Sequence, residues 1–160
     1  MSIALFLKVD GADGESKESA HKDWIDVDAF SWGLDQPAQA HTGGGLGAGK
    51  VSVHDLTVTA SIDKAFTTLS GFCASGKHVA KAQFAASKAG GDSPVEYYKT
   101  TLEDVIVTSV QLVGSSGAEM KVNYSFNAAK LKNEYFLQTE KGSKGAGSDF
   151  GWNVKENKKM

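Results

Sequence analysis

His41-Thr42-Gly43-Gly44-Gly45-Leu46-Gly47-Ala48-Gly49-Lys50, followed by Val51-Ser52-Val53-His54-Asp55-Leu56-Thr57-Val58-Thr59, decides the fold class, because the first run admits two readings and the second separates them. Gly44, Gly49 and Lys50 match the G-x-x-x-x-G-K core of a phosphate-binding loop, which would make the chain an α/β nucleotide-binding protein. Such a loop needs a hydroxyl residue after the lysine for magnesium, an apolar strand before it and a helix after it. Val51 stands where the hydroxyl belongs, Pro37-Ala38-Gln39-Ala40-His41 is no strand, and Val51 to Thr59 is β-branched and strand-like. With no helix N-terminus to hold a phosphate, the stretch reads as a long extended loop over about residues 36–50, set among β-strands.

Five of the eight residues from Gly43 to Lys50 are glycine. Fixing a backbone costs about 1–2 kcal/mol per residue, and more for glycine. Ordering this arm alone would therefore cost about as much as a domain's whole net stability of roughly 5–15 kcal/mol. A partner surface is expected to supply the missing contacts, which makes His41, Thr42, Gly43, Gly44, Gly45, Leu46, Gly47, Ala48, Gly49 and Lys50 a candidate assembly element.

The 160 residues suit a single domain spanning 1–160. Hydrophobic content of 41%, charged content of 22% and a formal net charge of −2 are ordinary for a globular chain, and give no general attraction to nucleic acid or anionic membrane. All 17 basic side chains are lysines. Without arginine there is no bidentate guanidinium for phosphate or guanine, so no nucleic-acid partner is expected. Cys73 is the single cysteine, which rules out an intramolecular disulfide. Met1 to Asp10 has no basic n-region and no small-residue cleavage site, so it reads as a first strand and not as a secretory signal. No run approaches the roughly 20 apolar residues of a spanning helix, so no membrane insertion is expected.

Strand patterns dominate the rest. Ile3, Leu5, Leu7 and Val9 alternate and can face one core. From Trp24 to Leu34, Ile25 and Val27 share one parity and Phe30, Trp32 and Leu34 the other, which predicts a bulge or a strand crossing between sheets. Similar switches fall between Val53 and Leu56 and between Ala128 and Ala129, inside a long strand from Met120 to Leu137. Val79 to Ser87 is expected to turn Ala80, Ala82, Phe84 and Ala86 inward, and Glu96 to Val113 to be apolar on both faces at Val105-Ile106-Val107. One helix is predicted, over about residues 63–75, with Asp63 as N-cap, Phe66, Leu69 and Cys73 on one stripe, and Ser75-Gly76 as its end. Lys141 to Ser148 reads as a loop and Phe150 to Val154 as a last strand. The fold class is mostly β: a β-barrel of two packed antiparallel sheets with one flanking helix.

Catalytic patterns are weak. His54 and Asp55 are neighbours on a predicted strand, so their side chains point to opposite faces. Asp23, Asp26 and Asp28 lack the further ligands and glycine turn of a calcium loop. His21, His41, His54 and His78 show no close metal-ligand spacing, and Cys73 lies on an apolar stripe. Trp24, Trp32 and Trp152 read as core or subunit-contact residues. No enzyme, no catalytic residue, no metal and no cofactor are expected.

The segments His21-Lys22-Asp23-Trp24-Ile25-Asp26-Val27, Phe30-Ser31-Trp32-Gly33, Gly43-Gly44-Gly45 through Gly49-Lys50-Val51, Ile62-Asp63-Lys64, Ala74-Ser75-Gly76-Lys77-His78, Lys88-Ala89-Gly90-Gly91, Thr101-Leu102-Glu103-Asp104-Val105 and Gly151-Trp152-Asn153 resemble the haemolysin-coregulated protein (Hcp) family of bacterial type VI secretion systems, collinearly from about Phe6 to Asn157. The resemblance implies a barrel with one helix, a homohexameric ring, and rings stacked head to tail into an inner tube akin to a contractile phage tail tube. It implies further partners: a spike protein at the tube tip, a contractile sheath around it and small secreted effectors in its lumen. It also implies folding in the bacterial cytoplasm and export without a cleavable signal peptide. The arm would lie at contacts between subunits and rings. Alternation turns Ala29, Ser31 and Gly33 away from Phe30, Trp32 and Leu34, and the resemblance makes that small-residue face the lumen and cargo wall. The alternative reading is a monomeric or dimeric small-ligand-binding barrel.

Overall fold

The computed structural model describes residues 2–37, 49–90 and 93–160. Among the described residues, ten strands and one α-helix follow in order, with a single 3-10 turn at Ser19–His21 between the first two strands: β1 (Ile3–Val9), β2 (Ile25–Ser31), β3 (Leu34–Asp35), β4 (Ser52–Val53), β5 (Leu56–Ser61), α1 (Ala65–Ser75), β6 (His78–Lys88), β7 (Val95–Val113), β8 (Lys121–Gln138), β9 (Lys144–Asn153) and β10 (Lys158–Lys159). Six of them close a circuit, each antiparallel to the next: β1 to β6, β6 to β7, β7 to β8, β8 to β5, β5 to β2, and β2 back to β1. The sheet is thus continuous and rolled, its two walls sharing β7 and β8. β9 extends the second half of β8 beyond the barrel, β10 caps β9, and β3 with β4 makes a separate ribbon.

The interior is filled by side chains. Leu7, Val58, Phe84, Val105, Val122 and Tyr124 are fully buried, with Phe126 and Leu131 at 1–2% exposure beside them. Such packing is what strands with one apolar parity must do to leave water.

The parity switches read from the sequence are present. The β2–β5 register shifts between Val27 and Ala29, as the change from Ile25 and Val27 to Phe30 predicts. β8 buries Val122, Tyr124 and Phe126, then Leu131. In β7, inward Thr100 and Leu102 give way to Val105 and Val107 at Asp104, whose φ of 53° is left-handed. An extra half-twist of this kind lets one long strand line two walls.

Several expectations need correction. Ala80 is exposed and Val79 buried, because Ala80 lies across from Asp104 and the switch there moves its neighbour inside. Ile3 is 52% exposed, since β1 starts at the barrel rim, and Phe6 is buried on the other face of β1 under His21. The strand from Trp24 to Leu34 stops at Ser31, and β3 leaves for the ribbon. Lys144 to Ser148 is strand, not loop, because β8 continues to Gln138 and offers it a ladder. His54 and Asp55 fall in the break between β4 and β5.

The helix forms close to where it was predicted, with Lys64 and not Asp63 at the N-cap position. The Asp63 carboxylate accepts the Ala65 N–H at 2.9 Å, and Gly76, with φ of 66°, donates its N–H to Cys73 O and ends the helix. Ala65 and Leu69 are fully buried and α1 packs on β7.

Candidate functional site

The outward faces of β2, β5, β8 and β7 form one four-stranded polar wall. Their inward residues, among them Val58, Ala60, Val122, Tyr124 and Val107, are core, so by the two-residue period the alternate residues face out. Ladder register aligns these outward residues in rows. Ser31 lies opposite Thr57, Thr57 opposite Ser125, and Ser125 opposite Ser109. In the next row Ala29 lies opposite Thr59, Thr59 opposite Asn123, and Asn123 opposite Gln111. Thr57 and Ser125 share a hydroxyl hydrogen bond of 3.0 Å, and Thr59 Oγ1 donates to Asn123 Oδ1 at 2.6 Å.

Both rows lack charged side chains. Among the described residues, hydrogen-bonded charged groups flank these rows at both ends. At one end Lys121 Nζ donates to Asp28 at 2.7 Å and to Ser61 Oγ at 2.9 Å. The hydrogen bond to Asp28 is the main reason the Lys121 ammonium is held more firmly protonated than usual. At the other end Asp55 accepts from Thr108 at 2.6 Å and from Asn127 Nδ2 at 3.0 Å. The wall is therefore a neutral field of hydroxyls and amides bracketed by ionic groups. It can make many weak hydrogen bonds to a polar surface and no strong charge contact.

Of the residues singled out from the sequence, Ala29 and Ser31 are exposed on this wall. Gly33 is not in a strand; it is half-buried between β2 and β3, its carbonyl accepts the His54 N–H at 2.9 Å, and a Cβ there would meet His54 Nδ1 at 3.2 Å. Thr57, Thr59, Asn123, Ser125, Ser109 and Gln111 were missed by the sequence reading. The hydroxyl alternation in Leu56-Thr57-Val58-Thr59-Ala60-Ser61 was the signal that could have found the first two.

His41 to Ala48 lie outside the described residues, and Gly49 and Lys50 are exposed. The two stems of the arm meet: a Cβ on Gly49 would sit 3.0 Å from the Pro37 carbonyl oxygen. The β3–β4 ribbon, with Leu34 opposite Val53, and a 2.5 Å contact between His54 Nε2 and Asp35 Oδ2 root the arm at the Ser31 end of the wall. Lys50 leads through Val51 into β4, so no helix N-terminus follows it to hold a phosphate.

The other sequence candidates scatter. His54 faces Asp35 whereas Asp55 faces Thr108 and Asn127, so they form no dyad. His78 pairs with Asp104 at 2.8 Å on the surface. Among the described residues, no three His, Cys, Asp or Glu side chains are grouped to hold a metal. His21 is buried, stacked on Phe6 at 4.2 Å, with Glu18 on one ring nitrogen and Glu96 at 3.2 Å from the other. Burial works to raise the Glu18 carboxyl, but its hydrogen bonds to His21 and to the Ala20 N–H prevail and hold it below the usual value. No described helix is long and apolar enough to cross a membrane.

Residues 6–135 match the family model described as "Type VI secretion system effector, Hcp". Protein hcp1 of Pseudomonas aeruginosa is 42% identical over 159 residues, covering 98% of each chain. Among solved structures, Hcp1 from Salmonella typhimurium superposes with a TM-score of 0.83 at 34% identity over the full length of both chains. A structure described as a type six secretion system protein gives 0.92 at 28% identity, covering 99% of this chain and 100% of its own.

Proposed function

The chain belongs to the Hcp family of type VI secretion system proteins, and from that premise we propose that it is the repeating subunit of the system's inner tube. It closes into a homohexameric ring, and rings stack head to tail. The tube leaves the cell with a spike protein at its tip, driven by a contractile sheath, and carries small effectors inside. The chain itself performs no chemistry.

The observation that carries this reading is the polar wall with two open strand edges. β1 pairs with β2 only from Ile25 to Val27, and β6 pairs with β7 only up to Ile106. Beyond these points no described strand covers Ala29 to Ser31 on one side of the wall or Thr108 to Val113 on the other. A sheet with two free edges on one chain is a heterologous joint: the edge of each copy can meet the opposite edge of the next, and closure by rotation gives a ring. The neutral wall then faces the lumen, where hydroxyls and amides hold cargo loosely enough to release it.

The small-ligand-binding alternative is disfavoured because the barrel interior is occupied by Leu7, Phe84, Tyr124 and their neighbours. Size-exclusion chromatography with light scattering, followed by electron microscopy, tests the choice. A species of six chain masses, seen as rings, supports the tube subunit. A compact monomer at micromolar concentration overturns it.

A further inference from the structure

A second, smaller core lies outside the barrel on β1 and β6. Phe6 and its ladder partner Ala85 point away from the interior that Leu7 and Phe84 fill, yet both are buried. The segment from Gly14 to Trp24 folds on its own backbone bonds: the Gly14 N–H donates to Asp23 O at 2.8 Å, the Ser16 N–H to Trp24 O at 2.9 Å and the Asp23 N–H to Ser16 O at 2.9 Å. That fold lays His21, only 4% exposed, flat on Phe6 with ring centroids 4.2 Å apart and edge-on to Trp24 at 4.8 Å.

Each ring nitrogen of His21 faces a carboxylate. Nδ1 meets Glu18, three residues back in the same turn, and Nε2 lies 3.2 Å from Glu96 Oε1 at the start of β7, 75 residues away in sequence. A ring nitrogen and a carboxylate need one proton between them, so the two contacts together need two, and a neutral imidazole carries one. The neighbouring charges are engaged elsewhere or face water. Lys88 of β6 borders the same cavity as Phe6 and Glu18 but holds Nζ over the Tyr97 ring at 4.6 Å, Glu15 accepts the Lys64 N–H at 2.7 Å, and Lys17, Lys22 and Asp23 are exposed.

Loss of one proton therefore sets a bare ring nitrogen against a carboxylate at one contact, and a polar pair left unmade in a buried place is costly. The contact given up is the one to Glu96. Glu18 shares a turn with His21, accepts the Ala20 N–H at 3.2 Å as well, and is fixed there by its own N–H to Ser16 Oγ at 3.3 Å.

We propose that His21 is a proton-operated latch: with both contacts protonated it ties the 14–24 segment to the start of β7, and as pH rises and one proton leaves, Glu96 is released and the segment loosens over Phe6 and Ala85. Every group of the latch belongs to one chain, so the inference goes beyond the tube reading and does not depend on it.

The test is hydrogen exchange by mass spectrometry on the purified full-length chain, from about pH 5 to about pH 9, the range that brackets imidazole titration. Exchange is corrected for the intrinsic effect of pH, and the peptide around Val122 to Phe126 in the core serves as reference. Protection of the 14–24 segment should fall about tenfold as pH rises, the size of one charge-assisted hydrogen bond, while the reference holds within about twofold. Glu96→Gln should abolish the dependence, because an amide accepts from a protonated ring nitrogen and donates to a bare one. His21→Phe, which keeps the stacking on Phe6 without either nitrogen, should leave the segment loose at every pH. Protection that stays flat in the wild type overturns the latch, as does the same fall in Glu96→Gln or a fall shared by the reference peptide. Should either variant misfold, the wild-type profile alone decides.

Discussion

Thr59 Oγ1 donates to Asn123 Oδ1 at 2.6 Å across the β5–β8 ladder, on strands whose opposite faces bury Val58 and Val122. The polar wall is therefore fixed by the same register that packs the core. Substitutions on the wall should change what it touches without loosening the barrel, which separates assembly from cargo experimentally.

Ser31→Gln should leave ring mass and melting temperature unchanged, because a β2 edge joins its neighbour through backbone groups while the Ser31 side chain points off the wall face. It should reduce co-purification of small effectors by projecting a longer side chain from the row of Thr57, Ser125 and Ser109. Lost folding with cargo binding retained in the remaining rings would mean that the face is assigned wrongly.

Replacing Gly43 to Gly49 with a two-residue turn should preserve the barrel and the ring, because the β3–β4 ribbon already brings the stems together and loops tolerate shortening. Tube stacking should be lost, and with it export to the culture medium. Secretion at the wild-type level would defeat the arm's assembly role; a failure to fold would make it part of the core.

Magnesium-ATP should give no heat of binding in calorimetric titration. Lys50 leads into a strand with Val51 where a metal-binding hydroxyl would stand, so a micromolar dissociation constant would contradict this reading.

Phe84→Ala should destabilise the fold by about 3–5 kcal/mol in urea unfolding, the range for deleting a buried aromatic. Phe84 is fully buried, and its ring meets Phe30 at 4.4 Å and Tyr98 at 6.2 Å. A loss under about 1 kcal/mol would mean that the site relaxes to fill the cavity.

The Glu18 carboxyl is held below its ordinary value near 4.5, so folding favours its ionised form. Its contribution is present above that value and is lost as pH falls through the lower folded value. Melting curves of the wild type and Glu18→Gln should differ at pH 7 and converge toward pH 3. A gap that persists or widens in acid would reverse the sign of this linkage.

How much was legible follows from the range of the forces involved. The apolar period of two, the helix up to its Gly76 stop, and the switches near Val27 and Ala128 are set by neighbouring residues along the chain. The sequence alone was enough for them. The strand after Lys50 was also legible, from the β-branched run that begins at Val51. The fates of Ile3 and Ala80 were not legible, because a rim position and the left-handed turn at Asp104 become visible only once the strands are in register. Nor was the start of β9 at Lys144, which needs the far end of β8 as its template. The row from Ser31 through Thr57 and Ser125 to Ser109, and the meeting of His21 with Glu96, join residues far apart in sequence. Only closure of the barrel brings them together, since the register between distant strands is chosen by how the whole core packs and not by any stretch of chain.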